Sequence, residues 1–144
     1  MTARLEHANL TVRDIDAEIH FLLTACPEFM IRRDARDADG SRWVHIGTDQ
    51  CYFALTQASA EDDRRREPYT ATPGLNHLAL EVDDADVLRE RMAAAGYRDS
   101  TVTNQHPYRK RVYFHDPDGN DWEFIQYLSE DPALQHDYEL PDKP

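Results

Sequence analysis

Three residues form a set able to do metal chemistry: His7, His77 and Glu123. Two imidazoles and one carboxylate suit a divalent ion such as Fe(II), Mn(II) or Zn(II), and three protein ligands leave coordination positions open for water and substrate. Glu123 needs a partner in any case, because it stands between Trp122 and Phe124 in a core-like segment, where an unpaired carboxylate is costly to bury. Taken singly, either histidine reads more readily as a satisfied residue near a strand end than as a ligand. Their matched placement in a repeat makes them a set.

Further candidates alternate along one segment: Arg109, Arg111, Tyr113 and His115 interleave with Lys110, Val112 and Phe114. If Val112 and Phe114 pack against a helix, the other series faces the chemistry. Arg111 then suits a carboxylate or phosphonate, and Tyr113 or His115 a proton transfer; an exposed, salt-bridged strand face is the alternative. Trp43 is placed to stack on an aromatic substrate or to pack in the core. His20, His45, His106 and His136 have no such context and are expected at the surface.

What positions these residues is an internal repeat. LEHANLTVRDID at 5–16 and LNHLALEVDDAD at 75–86 agree at six of 12 positions, His7/His77 and Asp14/Asp84 among them. Each copy reads as a strand, an Asp at a helix N-cap and a helix. In the second copy Ala85, Leu88, Met92 and Ala95 recur at helical spacing and Gly96 is placed to cap the end. The first helix is expected to stop near Pro27. Three strand candidates follow each helix, at 28–36, 41–47 and 50–57, then at 97–104, 108–115 and 120–127, with Asp39-Gly40 and Asp116-Pro117-Asp118-Gly119 as turns. The expected organisation is α+β, two βαβββ modules at 1–57 and 74–128 within one domain. A charged linker at 58–73 joins them, and a tail at 129–144 wraps the surface or frays. The run Arg64-Arg65-Arg66 is a conceivable anion site, offset by its acidic neighbours.

The formal net charge of −12 argues against nucleic acid or an anionic membrane as partner, since both would repel the chain at long range. No apolar run reaches the ~18 residues of a membrane span, and the start lacks a signal-peptide hydrophobic region, so a cytoplasmic location is expected. Cys26 and Cys51 make no disulfide framework and read as reduced thiols.

LEHANLTVRDID, GLNHLALEVDDAD and VYFHDPDGNDWEFI make the chain resemble the vicinal oxygen chelate superfamily: glyoxalase I, extradiol dioxygenases, fosfomycin-modifying enzymes and bleomycin-resistance proteins. The resemblance implies a cupped, incomplete barrel of paired modules around one divalent ion per site, Fe, Mn, Zn or Ni, with His7, His77 and Glu123 at ligand positions. Pairing YFALTQ with DWEFIQ puts Ala54 where glyoxalase I carries a fourth ligand. Gln57 reaches that face only if the register slips by an odd number of residues. A His/His/Glu set is closer to the dioxygenases and fosfomycin-type enzymes, and Tyr113 matches a pocket tyrosine of the latter. The function implied is a metal-dependent enzyme acting on a small oxygen-rich substrate, with a metal-free binding protein of the bleomycin-resistance type as the alternative. The resemblance also implies a homodimer in which His7 comes from one subunit and His77 and Glu123 from the other.

Overall fold

A computed structural model describes residues 3–59, 67–102 and 106–140. The chain divides into two compact units, Met1–Arg65 and Arg66–Pro144. Arg64, Arg65 and Arg66 of the proposed anion run lie outside the described residues.

In unit one, β1 (His7–Val12) leads into α1 (Ile15–Ala25), and β2 (Met30–Arg36), β3 (Arg42–Gly47) and β4 (Tyr52–Gln57) follow. The sheet order is β1-β4-β3-β2, with β1 parallel to β4 and the other pairs antiparallel. Asp14 starts the helix as expected, its carboxylate accepting from the Ala17 amide at 3.0 Å, which satisfies one of the amides the first turn leaves open. The helix ends at Ala25, two residues before Pro27. Its Ile15, Phe21 and Leu22 are buried, as are Val44, Ile46 and Leu55 of the sheet. At about 1.5–3 kcal/mol per large apolar side chain, this burial fixes which sheet face is core and leaves the other face free. Gly47 lets the β3–β4 connection close: a Cβ there would lie 2.4 Å from the Cys51 carbonyl oxygen and 2.6 Å from the Tyr52 Cα.

Unit two repeats the plan with β5 (His77–Glu81), α2 (Ala85–Ala94), β6 (Arg98–Asp99), β7 (Arg109–His115) and β8 (Asp121–Tyr127), in sheet order β5-β8-β7-β6. The Asp84 carboxylate caps α2 by accepting from the Asp86 and Val87 amides. Gly96 leaves the helix at φ +85, a left-handed conformation that glycine adopts without a Cβ clash. Leu88 and Met92 of α2 are buried together with Val112, Phe114, Trp122 and Phe124.

One expectation needs correction. The strand expected at 97–104 is, over the described residues 97–102, a two-residue β6 followed by a departure from the ladder; residues 103 and 104 lie outside the described residues. Ser100 still donates its amide to the Tyr113 carbonyl at 2.9 Å, but the Thr101 hydroxyl, in place of a strand carbonyl, accepts the Tyr113 amide at 2.9 Å. Of the two courses expected for the tail, its described part takes the first and wraps the surface. It forms a short helix, α3 (Pro132–Gln135), capped by Asp131, and docks on unit two: Arg109 donates to the Gln135 carbonyl at 3.2 Å and its guanidinium lies 5.0 Å from the centre of the Tyr138 ring. Cys26 and Cys51 are free thiols, and among the described residues no helix is long and apolar enough to cross a membrane.

Candidate metal and substrate site

Strand pairing decides which side chains share a face. In unit two, β5 pairs with β8 so that Ala79 opposes Glu123, and β7 pairs with β8 so that Tyr113 opposes Glu123 and Arg111 opposes Ile125. Val112 and Phe114 are buried on the core side, so Arg111, Tyr113 and His115 share the opposite face with His77 and Glu123.

On that face the His77 Nε2 lies 3.1 Å from a Glu123 carboxylate oxygen, and Glu123 is only 8 % exposed. The other ring nitrogen, Nδ1, is 3.0 Å from the Tyr69 hydroxyl oxygen, whose hydrogen is donated to Asp121 at 2.7 Å. Ser100 donates to the second Asp121 oxygen at 2.7 Å. Burial, and after it the bond to Asp121, pushes the Tyr69 phenol well above its ordinary range. The Tyr113 phenol is pushed up too, by burial first and then by the negative charge and hydrogen bond of Glu123. His115 accepts at Nε2 from Arg98 at 2.9 Å, and its Nδ1 is 3.9 Å from Asp121. Beside Glu123 opens a concavity of about 510 Å³ lined by Arg109, Arg111, Ile125, Tyr127, Tyr138 and Leu140 among others.

Unit one presents the matching face with different chemistry. Ala54 opposes both Asn9 and His45, which is the position Glu123 holds in unit two, so the register is unslipped. Gln57 turns the other way and donates to the Arg13 carbonyl. His7 engages Glu6 through Nδ1 and stacks on Tyr52, with ring centres 4.9 Å apart. His45, expected at the surface, is half-buried between Tyr52 and Trp43; its burial, and next the nearby Arg32, holds its imidazole below the ordinary range. Trp43 is half-exposed rather than in the core, donates to Asp37 at 3.0 Å and lines a second concavity of about 250 Å³.

The remaining histidines also sort themselves. His20 and His136 are exposed as expected. His106 is not: it is 4 % exposed, with Nε2 3.0 Å from the Asp137 carbonyl and Nδ1 accepting the Tyr108 amide. The residues that sequence reasoning missed are Tyr69, Ser100 and Asp121. Asp121 had a visible signal, a carboxylate alternating with Glu123 on one strand; Tyr69 lies in the linker and had none.

A family model described as the Glyoxalase/Bleomycin resistance protein/Dioxygenase superfamily matches residues 4–124. The chain belongs to this superfamily. Solved structures of glyoxalase-type fold agree. The FosX fosfomycin resistance protein of Listeria monocytogenes, complexed with Mn(II) and sulfate, is 20% identical over 88% of this chain and 93% of its own, at TM-score 0.67. A glyoxylase/bleomycin resistance protein/dioxygenase domain from Frankia sp. EAN1pec is 23% identical over 95% of this chain and 100% of its own, at TM-score 0.71. A mutant of the Listeria FosX, complexed with Mn(II) and 1S,2S-dihydroxypropylphosphonic acid, is 18% identical over 95% of this chain and 100% of its own, at TM-score 0.70. No curated protein matches the chain by sequence. The α+β, two-module reading and the superfamily resemblance are therefore both established.

Among the described residues no three His, Cys, Asp or Glu side chains are grouped so as to hold a metal ion; what unit two assembles is a pair. The pair fits an ion. Two donors each ~2.1 Å from one metal at a right angle lie roughly 3.0 Å apart, close to the 3.1 Å between His77 and Glu123. Each ring nitrogen of His77 faces an oxygen, Nδ1 the Tyr69 hydroxyl and Nε2 the Glu123 carboxylate, so a ring that carries its hydrogen on Nδ1 needs a cation or a proton between Nε2 and Glu123.

Proposed function

We propose that the chain is a divalent-metal-dependent enzyme of the vicinal oxygen chelate type, with His7, His77 and Glu123 as metal ligands and a small oxygen-rich substrate. The observation that carries this reading is the His77–Glu123 pair, with 3.1 Å between its donor atoms, a buried carboxylate beside a partly exposed imidazole. The hydrogen bond that His7 makes through Nδ1 to Glu6 supports the same reading, since a ligating histidine ordinarily donates its other ring hydrogen to a fixed acceptor. The ion, once bound, supplies Lewis acidity toward substrate oxygens.

The chain's own residues do the rest. Arg111 and Arg109 beside the concavity orient an anionic group on the substrate. Arg109 is 7 % exposed and its contacts are a carbonyl and an aromatic ring rather than a carboxylate, so an anion there would meet a charge with no anionic partner among the described residues. Because the Tyr113 phenol is held above its ordinary range by burial and by Glu123, it keeps its proton, and this one hydrogen passes from Glu123 to developing negative charge once an ion occupies the carboxylate. His115, held by Arg98, is the candidate to move a proton. Trp43 is the candidate to contact an unsaturated substrate. Ala54 contributes no ligand, which leaves a coordination position for substrate or water.

Calorimetric titration of the apo-protein with Mn(II) tests this reading. The parent should bind one ion per chain. His7→Ala, His77→Ala and Glu123→Ala should each lose stoichiometric binding, and Ala54→Glu should keep or tighten it. If His77→Ala or Glu123→Ala bound Mn(II) as tightly as the parent, the metal site would be wrong and the metal-free binding protein would become the better reading.

A further inference from the structure

We propose that Tyr69 is a positioning residue that fixes the tautomer of His77 by relaying the Asp121 carboxylate to the imidazole Nδ1, so that the Nε2 lone pair faces the ligand side. The inference rests on the metal-site reading for its purpose, while its chemistry stands on unit two alone. A phenol has one hydrogen, and the Tyr69 hydroxyl donates it to Asp121 at 2.7 Å. Its oxygen, 3.0 Å from His77 Nδ1, is then left as an acceptor, and only an Nδ1 that carries hydrogen can satisfy it. Nε2 is then the nitrogen left to face Glu123, 3.1 Å away, and in the apo-protein a proton between the two takes the place of the ion.

Three features show that the relay is held in place. Asp121 is 5 % exposed and accepts from both Tyr69 and Ser100, so its orientation is set from two sides. Tyr69 is 56 % exposed as a residue, yet its hydroxyl reaches this buried carboxylate. Tyr69 is also the non-glycine residue with positive φ, at 61, among the described residues. That backbone conformation is costly for a residue with a Cβ and persists only where the surroundings enforce it. The same position in a plain linker would favour Gly or Asn. The backbone amide of Tyr69 is fixed as well, donating to the Asn76 side chain at 2.8 Å, which ties the turn to the residue before His77.

Tyr69→Phe removes the hydroxyl and keeps the ring. Nitrogen-15 NMR of the apo-protein at a pH where His77 is neutral reads the tautomer directly. The parent should show His77 protonated at Nδ1, and Tyr69→Phe should show a mixture of tautomers with the thermal midpoint little changed. Mn(II) affinity by calorimetry should fall about 10- to 100-fold, the usual effect of removing such a partner. Asp121→Asn should move the tautomer in the same direction, since the phenol loses its charged acceptor. A His77 signal that stays Nδ1-protonated in Tyr69→Phe overturns the relay whatever the metal does. Because the NMR readout needs no metal, it separates this failure from failure of the metal-site reading, which would leave the apo tautomer shift intact.

Discussion

At the scale of single residues, Asp116 shows how one carboxylate shapes the approach to β8. It accepts from the Asp118 and Asn120 amides, the Asn120 side chain and the Trp122 indole, and so holds the turn that delivers Asp121 and Glu123. Burial, working against the Asn120 and Trp122 hydrogen bonds, leaves its carboxyl above the usual range near ~3.9. The folded state therefore keeps this proton to higher pH than the unfolded state does. The stability it contributes is fully present below the unfolded value and is lost as pH rises through the folded one. Asp116→Asn, which trades an acceptor for a donor facing donors, should cost about 1–3 kcal/mol. The cost should be largest at the acid end and level off toward neutrality. Urea unfolding of both proteins from acid to neutral pH checks this; a gap that widens with rising pH would mean that the hydrogen bonds outweigh burial. The ligand candidates His7, His77 and Glu123 were legible because they sit in a repeat and beside core residues. Tyr69 was not, because a linker residue shows its role only when its hydroxyl is seen between Asp121 and His77.

Among the elements, β7 carries two functions on two faces. Val112 and Phe114 are buried on the α2 side, and Tyr113 opposes Glu123 on the other. Phe114→Ala should therefore cost about 3–5 kcal/mol of stability with a matching drop in the urea midpoint, whereas Tyr113→Phe, which loses only its hydrogen bond to Glu123, should cost about 1 kcal/mol. Equal losses in the two variants would show that the faces are not separated in this way. The alternation of β7 was readable from sequence because a period of two leaves little ambiguity once one face is apolar. β6 was not, because Thr101 replaces a backbone acceptor with its side chain, an exchange that no periodicity reports. Which of its two expected courses the tail takes was not legible for a related reason. Its order comes from distant partners, Arg109 and His106 bonding the Gln135 and Asp137 carbonyls, and no local pattern in 129–140 announces them.

For the whole molecule, the repeat has diverged in what each unit supplies. Unit two holds His77, Glu123 and Tyr113, whereas unit one pairs His7 with Ala54 and His45 at the corresponding strand positions. A His/His/Glu set thus takes one His7 and one unit-two pair, which allows one ion per chain and not two. If His7 is supplied by a second copy, as the family resemblance implies, the chain must be a twofold homodimer, the commonest closed assembly. Light scattering at micromolar concentration should then give twice 16.7 kDa, and a monomer of that mass would refute the arrangement. Complementation decides the ligand question separately. His7→Ala and Glu123→Ala should each bind no stoichiometric Mn(II), but mixing them under conditions of subunit exchange should restore binding, because a mixed dimer contains one site with all three ligands intact. Were all three ligands to come from one chain, every site in the mixture would stay broken, and a dimer without restored binding would assign the site to the single chain.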